Sequence, residues 1–234
     1  MSYRYFITGT DTEIGKTTIA AGLLHAARAR GMTTAAVKPI AAGCVHTADG
    51  LRNDDALTLQ AECAPPLDYQ RLNPVALEPA IAPHIAAVEA GMEVTARQLA
   101  TACRNVFEEN ADLTLVEGAG GWRVPLNAGE TLADVAVELG EQVILVVGLR
   151  LGCINHALLT LEAIAADGLY LAGWVANQID PQMDRQQPNL DTLKQLIPAP
   201  LLGVVPQLNP LTIEQVASHL ELDALFETTS GLSR

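Results

Sequence analysis

Ten residues near the N-terminus, GTDTEIGKTT from Gly9 to Thr18, place a glycine-bearing turn and a Gly-Lys-Thr triplet directly after the apolar run YRYFITG. Between a strand and a helix, such a turn cradles phosphate. Backbone N–H groups and the helix N-terminus surround the anion, a lysine reaches the outer phosphates, and a Ser or Thr hydroxyl ligates magnesium. Lys16 and Thr17 fit those two roles, in a loop that runs through Glu13, Ile14, Gly15 and Thr18. The match to G-x-x-x-x-G-K-[ST] departs at one place, where Thr10 stands at the first glycine position and Gly9 falls one step earlier. The expected strand before and helix after supply the context that the motif needs.

A magnesium at such a loop wants hard oxygen ligands from elsewhere in the site. Glu117 ends the apolar run LTLVEG, and Gly118, Ala119 and Gly120 after it let backbone approach a ligand closely. In RNDDAL, Asp54 or Asp55 could face the metal, and spacing alone does not choose between them. Lys38 ends the second strand in AAVKPIAAG, on the sheet edge that also carries the phosphate loop, so two lysines and a metal could converge where charge develops on a transferred phosphoryl group. Gly152 to Asn155 open a helix whose free N–H groups can hold a carboxylate. In GWVANQ a strand ends with Asn177, a side chain able to pair with adenine through donor and acceptor together. His25, His46, His84, His156 and His219 read as structural.

These residues need a sheet to hold them. YRYFITG, TTAAVKP, LTLVEGAG, QVILVVGLR, LAGWVANQI and PLLGVVP read as strands separated by helices. Near-continuous apolar strands imply a mostly parallel sheet with helices on both faces, in a P-loop NTPase-like α/β fold. The helix after the first turn gathers Ile19, Ala20, Leu23, Leu24 and Ala27 on one side. A second, from Ile154, gathers Ala157, Leu158, Leu161 and Ala165, and both faces are expected to be core. The proline-rich stretch from Cys63 to His84 reads as a long surface excursion, a lid or a crossover, before a helix from about Thr95 to Asn110. The chain of 234 residues is expected to be one domain, with a frayed tail over 227–234.

Composition narrows the function. A formal charge of -13 removes the attraction to phosphate backbones on which nucleic-acid affinity rests, so no nucleic-acid partner is expected. Four cysteines, spaced neither as a zinc site nor as a disulfide scaffold, fit a reducing cytoplasm. No apolar stretch approaches the roughly 20 residues that span a bilayer, and no membrane partner is expected. Only three of the 14 cationic residues are lysines, and Lys16 and Lys38 each close what reads as a strand. Two of the three are thus placed for chemistry.

In order along the chain, GTDTEIGKT, KPIAAG, GLRNDDAL, NPVALEPAIAPH, VEGAGGW, VVGLRLGCINHALLT, GWVAN and IPAPLLGVVP resemble the segments of the dethiobiotin synthetase family, up to about residue 208. That resemblance implies a homodimeric, ATP-dependent cyclo-ligase of biotin synthesis. In its reaction 7,8-diaminopelargonate takes up CO2 as a carbamate, ATP phosphorylates the carbamate, and the second amine closes a cyclic urea. It implies phosphate and Mg²⁺ handling by Lys16, Thr17, Asp55 and Glu117, with Asp55 chosen by the family's LRN-x-D spacing. Lys38 would hold the carbamate and support phosphoryl transfer, and Thr12 and Glu13 would lie beside the diamine. Asn177, Gln178, Pro206, Gln207 and Leu208 would lie beside adenine. Leu151, Gly152, Cys153 and Asn155 would receive the substrate carboxylate across the dimer interface.

Two positions depart from the family pattern. Ala42 stands where many members carry serine, which removes a hydroxyl from the substrate side, and Gln178 replaces a frequent acidic residue. The main rival is a P-loop switch ATPase of the partition and septum-site type. Those proteins usually carry an additional lysine early in the loop, and TDTEI over positions 10–14 has none. An amidotransferase-type synthase domain would need a glutaminase module or an ammonia source, and no nucleophilic cysteine context is present.

Overall fold

The computed structural model describes residues 2–231. The elements in chain order are β1 (Tyr3–Gly9), α1 (Lys16–Ala29), β2 (Thr34–Val37), β3 (Ile40–Ala41), β4 (Val45–Thr47), β5 (Gly50–Arg52), α2 (Asp54–Ala61), α3 (Tyr69–Leu72), β6 (Val75–Ala76) and α4 (Pro83–Glu89). There follow α5 (Ala96–Phe107), β7 (Leu113–Glu117), α6 (Leu132–Leu139), β8 (Gln142–Gly148), α7 (Cys153–Ala166), β9 (Leu171–Asn177), α8 (Gln186–Leu196), β10 (Leu201–Val205), α9 (Ile213–Ala217) and α10 (Leu222–Gly231).

Six of these strands form one sheet in the order β10-β9-β8-β1-β7-β2, and every pairing in it is parallel. They are the six expected from sequence. Successive side chains of a strand point to opposite faces, and β8 shows what that achieves. Val146 joins the larger apolar core, while its neighbours Leu145 and Val147 join a second core with Ala157 of α7, Trp174 of β9 and Leu190 and Leu193 of α8. Both faces of the sheet are therefore dry, which is why its strands read as continuous apolar runs.

Strand order and register place the chemistry. β1 lies between β7 and β8, so the turn after Gly9 emerges at the middle of the sheet's C-terminal edge. Ile7 pairs with Glu117, and Val37 pairs with Val116, so Lys38 leaves β2 level with Glu117 at the end of β7. Lys16 is not at a strand end: it is the first residue of α1, seven residues after the last pairing of β1, that of Gly9 with Val146.

Three expectations change. The proline-rich segment 63–84 is not a surface excursion: it folds as α3 and β6, β6 pairs in parallel with β3, and Tyr69, Leu72 and Leu77 are buried. Proline blocks long regular elements but not burial, and short apolar anchors between the prolines fix the path. The face of α7 expected to be core is only partly covered, since Ala157 is buried, Leu158 and Leu161 are half-buried and Ala165 is exposed. At the C-terminus α10 continues through Gly231, where fraying was expected from Glu227; residues 232–234 lie outside the described residues.

Helix starts follow local chemistry. The side chain of Asn53 caps α2 by accepting from the Ala56 N–H at 3.2 Å, and Thr95 and Gln98 form a capping box on α5. On the far side of the sheet, β10 and the turn after α9 approach so closely that a Cβ on Gly203 would fall on the carbonyl oxygen of His219. Backbone cannot rotate away as a side chain can. Gly203→Ala is expected to cost about 1–3 kcal/mol of stability, as overpacking does. Urea denaturation reads this, and a midpoint equal to that of the unsubstituted chain would show that the two segments are not held together.

Candidate active site

Four charged side chains meet at the C-terminal edge of the sheet. The Lys38 ammonium donates to Glu117 Oε1 at 2.6 Å and pairs with Asp55 Oδ2 at 2.9 Å, and the Thr17 hydroxyl donates to the same Glu117 oxygen at 2.8 Å. Lys16 donates to the backbone carbonyl of Asp11 at 2.8 Å. Lys16, Lys38 and Glu117 are 7%, 4% and 1% exposed. Two ammonium groups against two carboxylates leave the cluster formally neutral, the condition under which buried charge is tolerable.

The electrostatics follow from that packing. Burial pulls Lys16 down from 10.5 to about 8, with Glu117 opposing and Lys38 reinforcing the shift. Burial works against the charge of Lys38 as well, yet Glu117 and Asp55 outweigh it and hold Lys38 above the ordinary lysine value. Asp55 stays below the usual carboxylate range despite its burial, because the Lys38 ammonium and the Thr17 hydroxyl favour its ionised form. Of the two lysines, Lys38 has its counter-ions in place, while Lys16 meets only a carbonyl dipole. An anionic ligand at Lys16 would complete the set.

The cluster opens into a cavity of about 790 Å³, of the size that takes a small-molecule ligand. Thr12, Glu13, Gly15, Lys16, Thr17, Thr18, Lys38, Ala42, Asp55, Glu117, Ala119 and Gly120 line it, together with Ala80 to Pro83 and Arg123 to Pro125. Most of the residues assigned from sequence to phosphates, metal and diamine thus share one space. Gly15 is required in the phosphate loop: its φ is +85°, and a Cβ there would fall on the Asn177 side-chain nitrogen. Arg150 forms an ion pair with Asp11 and so ties the start of the loop to the end of β8.

Of the adjacent aspartates, Asp55 reaches Lys38 and lines the cavity, Asp54 is not in that lining, and Asn53 caps the helix. A magnesium ion fits the donor set. Thr17, Asp55 and Glu117 offer hard oxygens, and Glu117 Oε2 is buried with no hydrogen-bond donor. Among the described residues there is no cluster of three His, Cys, Asp or Glu side chains suited to a metal, so phosphate oxygens and water would have to complete the coordination.

Other assigned residues lie outside this cavity's lining: Leu151, Gly152, Cys153 and Asn155 at the start of α7, Asn177 and Gln178 after β9, and Pro206, Gln207 and Leu208 after β10. Asn177 donates to the Ile14 carbonyl at 2.8 Å, so a base would meet its remaining N–H and its oxygen. Gln178 is fixed through its backbone, which donates to Val205 at 2.9 Å. At α7 the Cys153 N–H is taken by the Arg150 carbonyl at 3.0 Å, so Cys153 is not one of the free helix-start donors expected over Gly152 to Asn155.

Sequence reasoning missed Asn73. This residue is buried and donates to the Lys38 carbonyl at 2.8 Å, and the Lys38 N–H donates to the Leu72 carbonyl at 2.8 Å. The backbone of Lys38 is thereby gripped on both sides by the segment read as an excursion. An Asn-Pro pair is ordinary turn chemistry, and nothing local marks it as the support of a residue 35 positions away.

The similarity of this chain to known proteins agrees with the geometry. A family model described as an AAA domain matches residues 3–215. The ATP-dependent dethiobiotin synthetase BioD of Pseudomonas paraeruginosa is 62% identical over 94% of this chain and 97% of its own length. The proteins of the same name from Cellvibrio japonicus and Chromohalobacter salexigens are 57% and 55% identical, over 95% and 94% of this chain and 97% and 96% of theirs. Among solved structures, the septum site-determining protein MinD of Pyrococcus horikoshii, complexed with Mg-ADP, gives a TM-score of 0.57 at 16% identity, covering all of this chain and 97% of that one. A ParA family ATPase of Chlorobium tepidum gives 0.54 at 14%, covering 98% and 94%. At such identities the likeness shows the P-loop fold alone. The close relatives go further: spanning almost the whole chain, they show that it belongs to the ATP-dependent dethiobiotin synthetase family.

Proposed function

We propose that this chain is an ATP-dependent cyclo-ligase that makes dethiobiotin from 7,8-diaminopelargonate, CO2 and ATP, releasing ADP and phosphate. The observation that carries the reading is the pairing of two buried lysines in different electrostatic states within one cavity. Lys16, with no carboxylate in direct contact, takes the outer phosphates. Lys38, held by Glu117 and Asp55, faces the same space from β2 and takes the carbamate.

In this reading an amine of the diamine adds to CO2, losing a proton, and the resulting carbamate lies beside Lys38 with Thr12 and Glu13 near the diamine. A carbamate oxygen attacks the γ-phosphorus and ADP leaves. The second amine then attacks the carbonyl carbon, and phosphate departs as the urea ring closes. Through these steps Lys38 and Lys16 stabilise charge on the carbamate and on the transferring group, in a site where low exposure strengthens each interaction. Magnesium, held by Thr17, Asp55 and Glu117, would supply charge neutralisation to the phosphate oxygens. Ala42 lines the cavity but offers no hydroxyl, so a backbone N–H or a water would bond the substrate there.

The carboxylate of the diamine is assigned to the start of α7 in a second protomer. Two features support this: the α7 start lies outside the cavity of its own chain, and Leu151 and Leu159 are 90% and 57% exposed. An apolar surface of that kind is what a second subunit covers. Asn177, Gln178 and Pro206 to Leu208 are assigned to adenine, close to the phosphate loop through the Asn177 bond to Ile14. No helix among the described residues is long and apolar enough to cross a membrane, and we assign the enzyme to the cytoplasm.

Incubation with ATP, Mg²⁺, bicarbonate and the diamine is expected to yield dethiobiotin and one ADP per product, with little hydrolysis when the diamine is omitted. Hydrolysis indifferent to the diamine would overturn the reading in favour of a switch ATPase. Lys16→Gln is expected to lower turnover by about 10²- to 10³-fold, the loss seen when one preorganised charge partner is removed. Lys38→Gln is expected to spare ATP affinity, measured by calorimetry, while damaging the use of diamine and CO2. Equal loss of ATP affinity in both variants would place Lys38 in the phosphate site instead.

A further inference from the structure

The loop after Glu117 lies against the phosphate loop without being bonded to it by side chains. A Cβ on Gly120 would come within 3.4 Å of the Thr12 hydroxyl, and one on Gly121 within 3.6 Å of the Gly9 carbonyl oxygen. This loop forms the cavity wall through Ala119, Gly120, Arg123, Val124 and Pro125. Backbone ties its two ends, the Gly118 N–H to the Ile7 carbonyl at 3.0 Å and the Leu132 N–H to the Val124 carbonyl at 2.8 Å, but Gly120 and Gly121 between them have no side chains with which to hold the middle.

The holder is one carboxylate far away in sequence. Asp167, at the C-terminal cap of α7, accepts the Trp122 indole N–H on Oδ2 at 2.7 Å. It also takes the Arg123 guanidinium on both oxygens, at 2.9 Å on Oδ1 and 2.8 Å on Oδ2. A two-oxygen pairing of arginine with carboxylate fixes direction as well as distance. Trp122 is 4% exposed, and its ring stands edge-on to Phe6 of β1 with centroids 6.0 Å apart. The indole is thus fixed on both sides, by the sheet and by Asp167.

We propose that Asp167 is a positioning residue for the reaction: by clamping Trp122 and Arg123 it holds the Gly120 to Val124 wall against Thr12, on the diamine side of the cavity. It touches neither substrate nor phosphate. Its grip on Arg123 also keeps a guanidinium that borders the cavity from pairing with the anionic carbamate. The proposal rests on the reaction assigned above only for the identity of the substrate behind the wall.

The test uses Asp167→Asn, which keeps shape and one acceptor, Asp167→Ala, and Trp122→Phe, which keeps the ring and removes the N–H. Trp174 is buried in the core, so subtracting the Trp122→Phe spectrum isolates the emission of Trp122. Asp167→Ala is expected to shift that emission and to lower kcat/KM for the diamine about tenfold, with KM for ATP within about twofold, because misplaced walls cost orientation. Asp167→Asn should fall between Ala and Asp, and Trp122→Phe combined with Asp167→Ala should lose less than the product of the two effects. Unchanged Trp122 emission overturns the clamp. So does a diamine kcat/KM within about twofold of the unsubstituted enzyme in both Asp167 variants, or an equal rise in KM for ATP. An unsubstituted enzyme that makes no dethiobiotin would refute the reaction, and the emission and ATP affinity would still decide the clamp.

Discussion

The site is built around a single buried oxygen. Glu117 Oε1 accepts from both the Lys38 ammonium and the Thr17 hydroxyl, and these two donors arrive from opposite neighbours of β7 in the sheet, β2 and the helix after β1. Burying a carboxylate to 1% exposure is costly unless such partners meet it. Removing the Lys38 ammonium would strand an uncompensated charge, a loss that typically costs about 3–5 kcal/mol when a buried pair is broken, and removing the Thr17 hydroxyl would lose a hydrogen bond to a charged group, worth about 1.5–3 kcal/mol. The phosphate loop, the second lysine and the candidate metal ligands are therefore mutually dependent.

The sheet makes that arrangement possible with little adjustable geometry. Parallel pairing of β1, β7 and β2 sets Ile7 beside Glu117 and Val37 beside Val116, so three strand ends deliver their side chains to one edge. Backbone on both sides of Lys38 is then fixed by Leu72 and by Asn73, from a segment whose buried side chains anchor it to the core. Rigid delivery matters because a phosphoryl acceptor and a phosphate must be aligned within fractions of an ångström. On the far side of the cavity the wall over Thr12 has no such framework of strands. It is there that a single carboxylate, Asp167, is placed.

Features carried by local pattern were legible in the sequence, and features made by distant contact were not. The six strands announced themselves as apolar runs because both faces of the sheet are buried, and the phosphate loop announced itself by glycine and lysine spacing. The roles of Asn73 and Asp167 depend on partners 35 and about 45 residues away, and Asn-Pro and Asp-Gly pairs look like ordinary turns. The segment 63–84 misled because prolines suppress long elements while Tyr69, Leu72 and Leu77 still bury. The face of α7 misled in the opposite sense: helical periodicity reveals an apolar stripe but not whether the same chain covers it.

Glu117 unites the lysine and the hydroxyl, and in the proposed reaction it would join them to a magnesium ion at the phosphates. Calorimetry of ATP binding to the unsubstituted chain and to Glu117→Gln, each with and without Mg²⁺, tests it most directly, with circular dichroism to verify the fold. Mg²⁺ is expected to tighten ATP binding in the unsubstituted chain, and Glu117→Gln to lose at least about tenfold of that gain, since a neutral amide replaces a charged ligand. A folded Glu117→Gln that keeps the full Mg²⁺-dependent gain would contradict it.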